Sequence, residues 1–226
     1  YGGNAAMMHY HATPEDHAVL EKKGFLLVDS GATYMDGTTD ITRTYPLGPL
    51  TEDEKRFYTW TLQSHIDLAR AVWLDYCECK MIDTIAREPL WRHLINYRCG
   101  TGHSVSFVGN VHEGPHALNS RNTTRMRPGM VVTDEPGVYE TDLVGIRIEN
   151  ELVCVHKADN QYGTFLGFEP LTFVPIATSP ILPGVLDKDE IAWLNDYHRQ
   201  VFAKLAPHLN DEERSWLAEK CAAIGC

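Results

Sequence analysis

Four acidic residues of this chain lie in apolar, strand-like sequence or at a turn beside it. Asp29 and Asp40 flank a short turn in LVDSGATYMDGTTDITRTYPLG, and Glu135 and Glu149 lie in VTDEPGVY and GIRIEN. A lone charge in such surroundings is costly to bury. Divalent cations would offset that cost, so these residues favour a fold that gathers the strands around metal ions. His103, in GTGHS, adds an imidazole to the set.

The donor types narrow the kind of metal site. Oxygen ligands with one imidazole suit Mn, Co, Zn or Fe in the divalent state. Two cations about 3.5–4 Å apart need bridging carboxylates, and four are available. Structural zinc prefers clustered Cys and His, whereas the six cysteines form no CxxC pair. The sequence therefore predicts a hydrolytic metalloenzyme.

The geometry of the two aspartates depends on the hairpin that carries them. Asp36-Gly37 is a strong two-residue turn signal, and a loop centred there pairs Asp40 with Thr33. Asp29 then faces the same side, four residues further along the strand, or about 13 Å away. One metal pair cannot easily bridge that distance, so the hairpin must be bulged, sharply twisted or in another register.

The two glutamates fit a simpler arrangement, because a chain reversal near Asp142 places Glu135 directly opposite Glu149. Each candidate ligand also has an ordinary interpretation on its own. The aspartates could be turn residues, Glu149 a strand-edge charge and His103 a core histidine.

The predicted elements are segregated rather than alternating, which indicates an α+β fold. Strands are predicted over 25–34 and 38–46, within 101–155 and within 168–177. Helices are predicted after a capping box at Thr51 and over about 81–96, with a kink or restart at Pro89, and from Asp187 and Asn210.

Composition excludes two classes of partner. The net charge of -11 argues against binding nucleic acid or an anionic membrane, since both require a basic surface. No stretch approaches the roughly 18 consecutive apolar residues that span a bilayer. The first residues lack the features of a signal peptide, which favours a cytoplasmic protein with reduced thiols.

Several motifs together resemble one enzyme family. DSGATYMDGTTDITRT, GTGH, NVHEGP, TDEPGVYE and GIRIEN are similar to the aminopeptidase P and prolidase branch of the "pita-bread" metallopeptidases. FEPLTFVPI and WLNDYH resemble the C-terminal region of the eukaryotic cytosolic Xaa-Pro aminopeptidases. The resemblance runs from NAAMMHY to about residue 200.

The resemblance implies a pita-bread (creatinase/aminopeptidase) fold, in which helices flank an antiparallel sheet. Residues 1–178 are expected to form the catalytic domain, and residues 179–226 a C-terminal helical extension. The N-terminal part of the domain is expected to lie outside this chain, in a missing segment of the same protein. A cytoplasmic homodimer is the implied assembly.

The same resemblance assigns metal ligands. Two divalent ions, usually Mn²⁺ with Co²⁺ or Zn²⁺ as alternatives, are expected on five residues, with Asp40 and Glu149 bridging both ions. The five are Asp29, Asp40, His103, Glu135 and Glu149.

Further residues match the family's substrate site. His9 and His112 correspond to histidines that contact the substrate, and Tyr139 and Arg147 to residues beside the ligands. The implied reaction is hydrolysis of the N-terminal Xaa-Pro bond of peptides with proline at position two, by a hydroxide held between the metals. Glu135 is expected to transfer the water's proton to the proline nitrogen, and the histidines to stabilise the tetrahedral intermediate.

One position departs from the family pattern. Cys99, in YRCGTGH, stands where the family usually has a histidine, and a thiol is a weak hydrogen-bond donor. Two alternatives remain beside the aminopeptidase: a prolidase-like Xaa-Pro dipeptidase and a non-catalytic pita-bread binding module. The module is disfavoured because this chain keeps all five expected ligands.

Overall fold

A computed structural model describes residues 1–225 of the chain. Its first extended elements are β1 (Phe25–Tyr34) and β2 (Gly37–Pro46), which form an antiparallel hairpin. The two-residue loop is Met35–Asp36, so the loop predicted at Asp36-Gly37 is wrong by one position. Gly37 has a φ of 147° and opens the return strand, a conformation that glycine adopts without steric cost.

The observed register removes the distance problem of the two aspartates. Asp40 pairs with Gly31, and Asp29 pairs with Thr42. Asp29 and Gly31 therefore share one face of the hairpin and lie two residues, about 7 Å, apart along the strand. The hairpin brings both carboxylates to one face without a bulge.

Two helices follow the hairpin. Helix α1 (Glu52–Ala69) begins at the capping box predicted at Thr51. After the short strand β3 (Val72–Leu74), helix α2 (Cys79–Trp91) contains Pro89 without ending there. The predicted extension to residue 96 is wrong. The backbone turns after Trp91, where Leu94 adopts a positive φ of 60°.

The second β region contains seven strands. They are β4 (Gly102–His103), β5 (Ala117–Leu118), β6 (Val131–Asp134), β7 (Gly137–Glu140), β8 (Val144–Arg147), β9 (Asn150–Asn160) and β10 (Gly163–Pro170). A four-stranded antiparallel sheet has the order β3-β10-β9-β6. The β7–β8 hairpin pairs Gly137 with Arg147, which confirms the reversal near Asp142.

The predicted strand over 168–177 is only partly correct, because β10 ends at Pro170. The Leu171 amide still donates to the Glu151 carbonyl of β9, but the segment that follows bonds to helix α3 (Lys188–Leu205). The Val174 amide donates to the Tyr197 hydroxyl, and the Ile176 amide donates to His198 Nε2. These side chains replace the ladder that a strand would need.

The chain closes with helix α3 and helix α4 (Asp211–Lys220), which begin at the capping boxes predicted at Asp187 and Asn210. One apolar cluster packs β9 and β10 against α2, and a second packs β8 against α1 and α3. The predicted α+β class is confirmed. Among residues 1–225, no helix combines the length and apolar character needed to cross a membrane.

The cysteines in the described part of the chain are all free thiols. They are Cys77, Cys79, Cys99, Cys154 and Cys221; the sixth, Cys226, lies outside the described residues.

Candidate metal centre

Three of the predicted ligands form a compact group. Asp40 on β2, His103 on β4 and Glu149 between β8 and β9 each offer a ligand atom, and these atoms lie within 4.8 Å of one another. Glu135 joins them, since its Oε1 is 3.2 Å from His103 Nε2. Asp40 Oδ2 lies 3.5 Å from the same nitrogen. The structure therefore brings four of the five residues together.

Asp29 lies at the rim of this group. Its side chain is 41% exposed, and its Oδ2 accepts a hydrogen bond from Arg147 Nη2 at 2.6 Å. The carboxylate is close enough to raise the pKa of Asp40. The predicted ligand thus faces the same centre and is paired with an arginine there.

Breaks in the strands place both glutamates. Glu135 lies between β6 and β7, and Glu149 lies between β8 and β9. At both breaks the chain passes between the four-stranded sheet, which contains β6 and β9, and the β7–β8 hairpin. The carboxylates therefore emerge where the backbone leaves one ladder and enters another.

The electrostatics favour a positive ion. Burial and then the charge of Asp29 raise the pKa of Asp40 to about 6. Burial, followed by the charges of Glu135 and Asp40, raises the pKa of Glu149 well above its usual value. Carboxylates that disfavour each other's ionisation are stabilised by a shared cation.

One oxygen is free to bind such a cation. Glu149 Oε2 accepts a hydrogen bond from the Thr42 hydroxyl at 2.6 Å. Its Oε1 is buried, and within residues 1–225 no group donates to it. A buried carboxylate oxygen without a partner is costly, and a metal ion would satisfy it. The residues present therefore fit a divalent-metal site.

The contacts of the His103 imidazole also orient it for metal binding. Burial alone lowers the pKa of His103, but its hydrogen bond with Glu135, the charge of Glu135 and the Ser104 carbonyl raise the net pKa. The Nδ1 atom lies 3.2 Å from that carbonyl, which leaves Nε2 facing the carboxylates. Such outer contacts fix the orientation of a metal-binding ring.

Arg147 organises the surrounding layer. Its guanidinium is almost fully buried and donates to Asp29, to the Thr42 hydroxyl at 2.9 Å and to the Tyr139 hydroxyl at 3.1 Å. Its Nε lies 3.8 Å from Glu135 Oε2. Burial raises the pKa of Tyr139, so its hydroxyl stays protonated. Both residues expected beside the ligands are in contact with them or with each other.

A cleft of about 710 Å³ opens beside the group. Its walls are the hairpin residues 29–33 and 38–40, the loop 109–112 and His9. The His112 ring centre lies 4.0 Å from that of His103. Partial burial, then the nearby His103, lowers the pKa of His112, so its ring is neutral near pH 7. Both predicted substrate histidines thus line the cleft.

Sequence reasoning missed three residues of this site. The hydroxyls of Thr42 and Thr133 bond Glu149 and Glu135, and Glu151 adds a fifth carboxylate whose pKa burial raises to about 7. Each lies two positions from a predicted ligand, which on a strand places it on the same face. This two-residue spacing from a predicted ligand is the sequence signal that could have identified the three residues.

Cys99 is part of an apolar cluster that also contains Tyr97 and Val138. Burial, and then the charge of Glu135, raises the pKa of its thiol to about 11. The thiol is therefore neutral near pH 7. A neutral, partly buried thiol is a poor substitute for the donor that a histidine provides.

These features define a carboxylate-rich divalent-metal centre on an α+β scaffold, of the kind that hydrolytic metalloenzymes use. The chain belongs to metallopeptidase family M24: the family's sequence profile matches residues 1–156, and that of the C-terminal region of peptidase M24 matches residues 164–224.

Named relatives are similar over nearly all of this chain. A probable Xaa-Pro aminopeptidase P of Coprinopsis cinerea is 41% identical over 231 residues, covering 99% of this chain and 37% of that protein. Aminopeptidase P2 of Arabidopsis thaliana is 43% identical over 223 residues, covering 96% of this chain and 31% of that protein. The chain therefore spans about a third of the length of these relatives.

Solved structures of Xaa-Pro peptidases are also similar to this chain. An X-prolyl aminopeptidase from Caenorhabditis elegans, described as a cytosolic enzyme with a di-nuclear active site, superposes with a TM-score of 0.93 at 38% identity. The match covers 99% of this chain and 37% of that one. A prolidase from Pyrococcus furiosus gives a TM-score of 0.65 at 28% identity, covering 76% and 47%. The predicted pita-bread fold is confirmed.

Proposed function

We propose that this chain carries the catalytic centre of a metal-dependent aminopeptidase that hydrolyses the N-terminal Xaa-Pro bond of peptides. The observation that carries the proposal is the convergence of Asp40, His103, Glu135 and Glu149, together with the buried, unpartnered Oε1 of Glu149. The relatives named Xaa-Pro aminopeptidase support the substrate class. The catalytic domain is residues 1–178, and the C-terminal helical extension is residues 179–226.

Two divalent ions are the proposed cofactors, with Mn²⁺ as the first candidate and Co²⁺ or Zn²⁺ as alternatives. They would be held by Asp29, Asp40, His103, Glu135 and Glu149. Bound there, such ions lower the pKa of a coordinated water and stabilise negative charge on a carbonyl oxygen. The di-nuclear site of the C. elegans enzyme supports the number of ions.

Glu135 is the proposed proton carrier. The Thr133 hydroxyl donates to its Oε1 at 3.0 Å, and Arg147 Nε lies 3.8 Å from its Oε2. These contacts hold the carboxylate beside His103, where it can take a proton from water bound at the centre. An amide nitrogen must be protonated before it can leave, and Glu135 passes the proton taken from water to the proline nitrogen.

His112 and His9 are proposed to bind the substrate. Both line the cleft, and the neutral His112 ring can donate one N–H to the reacting carbonyl oxygen as charge develops there. Arg147 and Tyr139 act on the ligands: Arg147 binds Asp29, and Tyr139 supports the guanidinium. Their role is to keep the carboxylates in place during turnover.

Product analysis with two substrates tests the activity. The whole protein, supplied with Mn²⁺, is expected to release arginine from Arg-Pro-Pro, and Asp40→Asn is expected to abolish release while the circular dichroism spectrum is retained. Cleavage of the dipeptide Gly-Pro alone would identify a prolidase-like enzyme. No cleavage and no bound metal would identify a non-catalytic binding module.

Two further properties are proposed, the first from a relative and the second from the family resemblance of the sequence. The protein acts in the cytoplasm, as the C. elegans enzyme is described to do, and it works as a homodimer. Cell fractionation and analytical ultracentrifugation test these points; a monomer at working concentration would exclude the second.

A further inference from the structure

Arg43 is a buried arginine behind the candidate metal centre, three residues after Asp40. Only 3% of it is exposed. Its guanidinium donates to six neutral acceptors, which are the backbone carbonyls of Thr42, Glu149, Val174 and Pro175, the side-chain amide oxygen of Asn150 and the hydroxyl of Tyr197. Because the acceptors are neutral, these bonds fix geometry rather than neutralise a carboxylate.

The bonds of Arg43 hold the backbone on both sides of the Glu149 side chain. The Glu149 amide donates to the Thr42 carbonyl at 3.1 Å, and the Glu149 carbonyl accepts from Arg43 Nη1 at 2.5 Å. The next residue, Asn150, accepts from Arg43 Nη2 at 2.7 Å. Since Glu149 lies in a break between two strands, no regular ladder fixes it. Arg43 does so instead.

The same guanidinium reaches the C-terminal region. Tyr197 of α3 is fully buried, and its hydroxyl accepts from Arg43 Nη2 at 3.0 Å and from the Val174 amide at 3.3 Å. The carbonyls of Val174 and Pro175 accept from Arg43 at 2.8 and 3.1 Å. One side chain therefore joins a candidate ligand to the extended segment and helix that follow the sheet.

We propose that Arg43 is a positioning residue for Glu149, and that Tyr197 couples the C-terminal region to the metal centre through it. This inference rests on the metal site of the proposed function. Groups that orient a ligand without touching the metal commonly change affinity by about 10–100-fold when removed. Lysine keeps the charge of arginine but lacks its planar fork of five donors, so it cannot hold three segments at once.

The test compares three variants of the whole protein. Arg43→Lys and Tyr197→Phe remove the contacts, and Tyr58→Phe is the matched control. Tyr58 is equally buried in the same apolar cluster, but its hydroxyl donates to the Ala177 carbonyl and not to the Arg43 group. The readouts are the Mn²⁺ dissociation constant by calorimetry, the visible spectrum of the Co²⁺ form and stability in urea.

Arg43→Lys is expected to weaken Mn²⁺ binding by about 10–100-fold and to change the Co²⁺ spectrum. Tyr197→Phe is expected to weaken Mn²⁺ binding by about 3–10-fold. This effect is smaller than that of Arg43→Lys because Arg43 keeps its other acceptors. Tyr58→Phe should lose stability and keep the affinity.

A lower stability with unchanged affinity and spectrum in both test variants would overturn the inference. If Arg43→Lys does not fold, the comparison of Tyr197→Phe with Tyr58→Phe decides alone, and equal affinities overturn it. Failure of the unchanged protein to bind Mn²⁺ would instead refute the proposed function.

Discussion

The Thr42 hydroxyl offers a sharp test of how Glu149 is held. It is fully buried, donates to Glu149 Oε2 at 2.6 Å and accepts from Arg147 Nε at 2.9 Å. Thr42→Val keeps the shape of the side chain and removes both bonds. A hydrogen bond to a charged group contributes about 1.5–3 kcal/mol. Arg147 keeps its bonds to Asp29 and Tyr139, so the expected loss in unfolding free energy is about 2–4 kcal/mol.

The metal affinity should fall as well. Within residues 1–225, Thr42 is the one hydrogen-bond donor recorded for the Glu149 carboxylate. Without it the carboxylate can rotate, and Mn²⁺ binding should weaken by about 10–100-fold. That range corresponds to about 1.4–2.8 kcal/mol of binding free energy. Calorimetric titration of the metal-free protein measures the affinity, and urea unfolding measures the stability.

Thr44→Val is the matched control. Thr44 lies on the same strand and is equally buried, but its hydroxyl bonds the neutral backbone carbonyl and amide of Arg147, at 2.8 and 3.1 Å. The control should lose about 1–2 kcal/mol of stability and keep its metal affinity. Equal affinities in both variants would refute the role assigned to Thr42.

Three further predictions concern ionisable groups. Mn²⁺ affinity should rise from pH 5 to 8, because Asp40, with a pKa of about 6, and Glu149 must lose protons before the metal binds. Calorimetry in two buffers should show proton release on binding at pH 6. Binding that does not depend on pH would contradict this prediction. Burial raises the pKa of Glu151 from its ordinary 4.5 to about 7 in the folded protein, so its contribution to metal-free stability is full below pH 4.5 and lost as pH rises through 7. Glu151→Gln should reduce that fall in urea unfolding at pH 5 and 8, and an unchanged fall would contradict the assignment. Cys99, with a pKa of about 11, should resist iodoacetamide at pH 7 and react faster as the pH rises, measured by mass spectrometry; rapid labelling at pH 7 would count against a buried, neutral thiol.

Local sequence signals predicted most of the elements. The capping boxes at Thr51, Asp187 and Asn210 mark three helix starts because each satisfies backbone donors within a few residues. The sequence predicts a strand within 168–177. The strand ends at Pro170, and the Val174 and Ile176 amides bond to Tyr197 and His198, which lie more than twenty residues away. No local pattern encodes that choice.

The candidate site, like the fold, could be predicted from the sequence only in part. The sequence indicated the acidic residues and His103, because charges in strand-like sequence need a reason to be buried. The hairpin register could not be read from its turn dipeptide, and it decides whether Asp29 and Asp40 lie near each other. Arg43 was not found at all, since its acceptors lie up to 154 residues away in the chain.

Anomalous diffraction from crystals of the protein with Mn²⁺ tests the central claim most directly. The account predicts two peaks about 3.5–4 Å apart, with the Asp40 and Glu149 carboxylates contacting both ions and Asp29, His103 and Glu135 each contacting one. The absence of any peak beside these residues, or a single ion bound without Glu149, would contradict it.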